Sequence, residues 1–134
     1  MTPCEFVLPR GPVSQQARRQ ERLREWKRLV AERARLALEE PGVLATTPVA
    51  LRLLYLYDEV AVDVDNVLKP ILDALIGVLL EDDALVTDVE IRRRRLGIAL
   101  AVDDISPILA AGFALGHEFV YVALTDAPPQ DVFP

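Results

Sequence analysis

Cysteine, histidine, methionine and tryptophan each occur only once in this chain. A lone Cys4 excludes an internal disulfide and any cysteine-rich zinc site. The expected place for such a thiol is a small buried position on the first strand. His117 precedes the final predicted strand with no companion at ligand or nucleophile spacing, so it is expected to be structural or solvent-exposed. No apolar run approaches the ~20 residues that a membrane span needs. Residues 1–30 also lack the hydrophobic centre of a signal peptide, and the expectation is a cytoplasmic protein without membrane contact. Glycines number only 6, against 51% hydrophobic residues, which excludes a disordered chain. The 134 residues suffice for one hydrophobic core. We expect a single domain over 1–134, with its core at about 5–125 and a loosely held proline-rich tail at 126–134.

Positive charge is missing from the last part of the chain: no lysine or arginine follows Arg95. The net charge is −6. Basic residues are instead crowded into two places. Arg18, Arg19, Arg22, Arg24, Lys27, Arg28, Arg33 and Arg35 share one N-terminal segment, and Arg92, Arg93, Arg94 and Arg95 are consecutive. Local potential steers a charged ligand more than the summed charge does. The bland reading of the first segment is a solvated helix, salt-bridged through Glu21, Glu25 and Glu32.

Hydrophobic periodicity predicts an α/β domain: a mixed β-sheet, two main helices and a short extra helix near the C-terminus. A short strand over 5–9 ends in a turn rich in proline and glycine. Ser14 is the expected N-cap of a helix over 15–38, with Trp26, Val30, Ala34 and Leu38 as its buried stripe. Val49, Leu51, Leu53, Tyr55 and Tyr57 alternate along a clear strand. Asp65 is the expected cap of a second helix over 66–80, with Leu68, Ile71, Leu72, Leu75 and Leu79 inward. Pro70 is tolerable only near such a start. A strand over 84–95 follows, with Leu85, Val89 and Ile91 on one side. Then come a return strand or connector over 97–101, a helix over 107–115 capped by Asp104 or Ser106, and a last strand over 119–124.

Chemistry-bearing residues converge around the second helix: Asp63 and Asp65, then Asn66, Lys69 and Asp73, then Asp82 and Asp83. Aspartates ordinarily cap helices and build turns. Several placed together repel one another unless a cation or proton intervenes. Carboxylates are hard oxygen ligands, and Mg²⁺ is typically held by one or two of them with water and phosphate. A lysine beside them can neutralise charge that develops on a phosphoryl oxygen.

The pattern Asp63-Val64-Asp65-Asn66-x-x-Lys69-x-x-x-Asp73-Ala74-Leu75, followed by Asp82-Asp83-Ala84-x-Val86-x-Asp88, resembles the RusA-type Holliday junction resolvases. Leu8-Pro9-x-x-Pro12-x-Ser14 is similar to that family's first strand and turn. The resemblance covers roughly residues 5–95. It implies a Mg²⁺-dependent endodeoxyribonuclease, with Mn²⁺ able to substitute, acting in DNA recombination and repair. It further implies a homodimer that places paired nicks in branched DNA. It carries metal binding onto Asp63, Asp65 and Asp83 and a catalytic lysine onto Lys69. Arg18, Arg19, Arg22, Lys27, Arg92, Arg93, Arg94 and Arg95 are the expected DNA contacts, binding backbone without reading sequence. The chain departs from the family in its acidity and in the stretch 96–116, which looks like an insertion. Two other readings stand beside this one. One is a DNA-binding or protein-interaction module of the same fold without turnover. The other is a haloacid dehalogenase-type phosphatase, whose first motif Val60–Asp65 resembles, although Asn66-Val67 replaces the usual Gly-Thr.

Overall fold

The computed structural model describes residues 3–97 and 103–133. Strand β1 (Cys4–Leu8), helix α1 (Gln20–Ala37), β2 (Val49–Tyr57), α2 (Val64–Leu75), β3 (Val86–Arg95), α3 (Pro107–Ala114) and β4 (Phe119–Asp126) follow in chain order. The sheet is mixed, in the order β1-β4-β2-β3. β2 and β3 run parallel, with α2 as the crossover between them, whereas β4 pairs antiparallel with both β1 and β2. Among the described residues no helix is long and apolar enough to cross a membrane.

β2 reads so clearly because it is central, with one face buried and the other covered toward its end. Val49, Leu51, Leu53 and Tyr55 are buried with the inner sides of α1 and α2 in the main core. Leu54 and Leu56 face the other way, where Phe119, Tyr121, Leu109 and Phe113 form a smaller cluster under α3. The α3 backbone comes close because position 112 is glycine; a Cβ there would lie 2.6 Å from the Phe119 ring. The Phe113 and Phe119 rings meet edge to face at 5.3 Å. Ser106 caps α3 by accepting from the Leu109 N–H at 3.1 Å, as one of the two sequence candidates required, whereas Asp104 lies at φ 52°. Cys4 is buried, and burial followed by the Glu5 charge raises its thiol pKa. His117 is exposed.

Several expected boundaries move, each for a local reason. α1 begins at Gln20, and Ser14 is not its cap. The Ser14 hydroxyl instead accepts from the Gln16 N–H in a local turn, at 3.1 Å. The Gln15 N–H reaches across to the Asn66 carbonyl at 3.2 Å. That carbonyl is free because its helical partner four residues on is Pro70, which has no N–H to give. Leu23 joins Trp26, Val30 and Ala34 in the buried stripe, while Leu38 falls just past the end.

α2 begins earlier than expected, with Asp63 rather than Asp65 at the N-cap, and it stops at Leu75. Gly77 at φ +81° ends it, since only glycine takes that conformation freely. The turn beyond is pinned by Ala45 N–H to Leu79 carbonyl at 2.8 Å. The inward face also differs from the expected one: Val67 and Pro70 are buried with Ile71 and Leu75, and Leu68 and Leu72 are only half-buried.

β3 begins at Val86 because Asp83–Leu85 forms a single 3₁₀ turn. The register slips between Val49 and Ala50, which pair with Val86 and Asp88. Val89 shares the helix-side face with Ile91 but remains 46% exposed, as the sheet ends at this strand. β4 continues to Asp126, and the Ala127 N–H reaches Pro48. The connector expected over 97–101 lies, beyond Gly97, outside the described residues.

On the α3 side of the sheet the Tyr121 hydroxyl donates to the Glu5 carboxylate, which also accepts from Ser106 at 2.8 Å. Burial, then the bond to Glu5, pushes the Tyr121 pKa up to about 12. An unfolded tyrosine titrates near about 10. The folded state therefore holds this proton more tightly, and the resulting stabilisation is complete below pH ~10 and disappears as pH rises toward ~12. Urea midpoints measured across that interval should fall more steeply for the wild-type chain than for Tyr121→Phe.

Candidate active site

The short connection after β2 delivers Asp63 to the start of α2. Both peptide groups around Val62 are tied down. Its N–H donates to the hydroxyl of buried Tyr55 at 3.3 Å, and its carbonyl accepts from Arg93 Nη1 at 3.2 Å. The same Nη1 lies 3.8 Å from Asp63 Oδ1, and the guanidinium carbon sits 5.9 Å from the centre of the Tyr57 ring. Burial raises the Tyr55 pKa, so the hydroxyl stays protonated. Asp63 makes no capping bond to the helix, and its carboxylate is largely exposed.

Asp65 occupies the first turn of α2, exposed, where negative charge is favoured by the helix dipole. Lys69 follows one turn later and bonds Asp73 at 2.9 Å. Asp73 also meets Lys27 of α1 at 3.6 Å, so one carboxylate orients two ammonium groups. The bond and charge of Asp73, with a smaller contribution from Asp83, raise the Lys69 pKa and keep it cationic. Asp83 is therefore close enough to act electrostatically on Lys69. Its neighbour Asp82 accepts the Ala84 N–H at 2.9 Å; that bond, then one with Asp83, holds the Asp82 carboxyl below the usual range.

Lys69, Asp73 and Asp83 thus share one electrostatic neighbourhood, while Asp63 is engaged with Arg93. Among the described residues no group of three histidine, cysteine or acidic side chains is gathered closely enough to hold a metal ion, so Asp63, Asp65 and Asp83 form no such cage. Their chemistry does suit a hard cation: all are oxygen donors, and the Asp65 side chain has no ion pair or hydrogen bond among the described residues. Mg²⁺ needs only one or two carboxylates, with water completing its shell.

The arginine block is not a single patch. Strand alternation sends Arg93 and Arg95 to one face and Arg92 and Arg94 to the other. Arg92 pairs with Glu90 at 2.7 Å, and Arg94 bonds the Arg93 carbonyl at 3.0 Å. Arg18, Arg19 and Arg22 are exposed, whereas Lys27 is half-buried against Asp73. Sequence reasoning missed Arg93 as a partner of Asp63 and Asp73 as the link between Lys27 and Lys69. The second was readable as an i,i+4 pair within α2. The phosphatase reading fails on geometry, because β2 ends at Tyr57 and Asp63 stands at the N-cap position of a helix rather than at the end of a strand.

Residues 10–99 match the family model for endodeoxyribonuclease RusA. The chain belongs to the RusA family. Comparison with curated proteins finds none that matches. The RusA match spans α1, β2, α2 and β3, and so contains Asp63, Asp65, Lys69, Asp73, Asp82 and Asp83. α3 and β4 lie beyond the RusA range.

Proposed function

We propose that this chain is a Mg²⁺-dependent endodeoxyribonuclease that resolves four-way DNA junctions by paired phosphodiester hydrolysis. The observation that carries this reading is an exposed Asp65, without a side-chain partner among the described residues, one helical turn before a cationic Lys69, inside the segment shared with RusA. Asp63, Asp65 and Asp83 would hold Mg²⁺, which when bound polarises a phosphoryl oxygen and lowers the pKa of its water. Lys69, oriented by Asp73, supplies positive charge where the attacked phosphate accumulates negative charge. Exposed Arg18, Arg19 and Arg22 supply backbone contacts that set register without reading bases. A two-fold homodimer suits the substrate, because two equivalent sites can cut two strands of like polarity.

A second reading, a junction-binding protein without turnover, is favoured by one observation: the acidic side chains are not gathered into a ligating group. A labelled synthetic four-way junction separates the two. Paired nicks that appear only with Mg²⁺ are expected. A gel shift without nicks at any Mg²⁺ concentration would favour the binder, and no interaction at all would overturn both.

A further inference from the structure

We propose that Arg93 is a positioning residue that holds the turn bearing Asp63 in its working geometry. This inference rests on the reading of Asp63 as part of a nuclease site. Residues 58–62 join β2 to α2 without regular structure, and such a connection does not by itself fix a side chain to the tolerance that catalysis needs. Two anchors on neighbouring parallel strands remove that freedom. Tyr55 from β2 takes the Val62 N–H, and Arg93 from β3 donates to the Val62 carbonyl. Tyr55 and Arg93 are register partners in the sheet, so both anchors rise from one rung of a rigid scaffold.

Arginine suits this task and lysine does not. The planar fork donates one N–H to the carbonyl while the same group faces the Asp63 carboxylate at 3.8 Å and lies near the Tyr57 ring at 5.9 Å. A lysine ammonium is a compact point charge without that planar fork. The arrangement also gives Arg93 a duty separate from that of its neighbours in the block. Arg92 is engaged with Glu90, and Arg94 with the backbone, so neither replaces it.

The test uses the full chain and the variants Arg93→Lys, Arg93→Gln and Tyr55→Phe. Amide hydrogen exchange at Val62, followed by NMR, reads the clamp directly and needs no activity. Exchange at Val62 should accelerate in Arg93→Gln and in Tyr55→Phe, with the protection of β2 and β4 core amides unchanged. Nicking of a four-way junction with Mg²⁺ should lose kcat by roughly 10- to 100-fold in both Arg93 variants, the scale for groups that orient a metal-site ligand. KM and junction affinity should stay within about 2-fold, whereas loss of a phosphate contact weakens binding and flattens its salt dependence. Unchanged Val62 exchange in Arg93→Gln, or full rescue of kcat by Arg93→Lys, would overturn the proposal. If the wild-type chain nicks no junction, the nuclease reading fails, and the exchange measurement still decides whether Arg93 holds the turn.

Discussion

The Asp65→Asn variant is expected to lose junction nicking by a factor on the order of 10² to 10³, the scale of removing one preorganised polar group from a reaction centre. The substitution keeps the side-chain shape and removes only the charge. Asp65 is exposed at the start of α2 and has no side-chain partner among the described residues, so no ion pair seen there is broken. The only stability cost is its interaction with the helix dipole, about 0.3–1 kcal/mol. Junction affinity should be retained or strengthened, because a negative charge is taken away from the surface proposed to meet phosphates. Single-turnover nicking and gel mobility on the same junction measure the two effects independently. Cleavage at the wild-type rate would remove Asp65 from the mechanism.

The largest expected loss of stability comes from Trp26→Ala, at about 3–5 kcal/mol, the range for deleting a buried tryptophan. Trp26 is fully buried where α1 meets the sheet, and the Arg10 guanidinium lies 5.7 Å from its ring centre. Domains of this kind hold only about 5–15 kcal/mol in total, so the variant would stand close to unfolding. Trp26→Phe should cost much less. It preserves an aromatic body and removes an indole N–H that finds no acceptor among the described residues. Urea unfolding monitored by circular dichroism tests this through the midpoints, with an unchanged slope expected. A loss below ~1 kcal/mol for Trp26→Ala would show that the interior rearranges to fill the space, contrary to the cavity argument.

What could be read from the residues, and what could not, divides along the reach of the forces involved. The strand Val49–Tyr57 was legible to its end residues because its alternation reflects one buried face opposite a face only partly covered. Asn66, Lys69 and Asp73 were legible as neighbours on one face of the second helix because helical spacing is local. The start of α1 was not, since Gln15 finds its acceptor on Asn66, far along the chain. The end of α2 was hidden by buried apolar residues that continue through 78–80 after Gly77 has already turned the backbone. Arg93 looked like one of four equivalent arginines. Its distinct role depends on the parallel register that sets it beside Tyr55, and that register includes a slip no periodicity reveals. Whether separated carboxylates meet is likewise a question of tertiary distance.

Pro70 has a consequence beyond helix geometry. By leaving the Asn66 carbonyl without an intrahelical donor, it lets the Gln15 amide fasten the arm before α1 to the carbonyl of Asn66, the residue after Asp65. That arm continues directly into exposed Arg18 and Arg19. Tension on those arginines would consequently reach, along a few covalent bonds and one hydrogen bond, the backbone beside a candidate ligand. In the proposed nuclease, grip on a polyanion and alignment of the reacting groups would then be a single mechanical event, hinged on an imino acid.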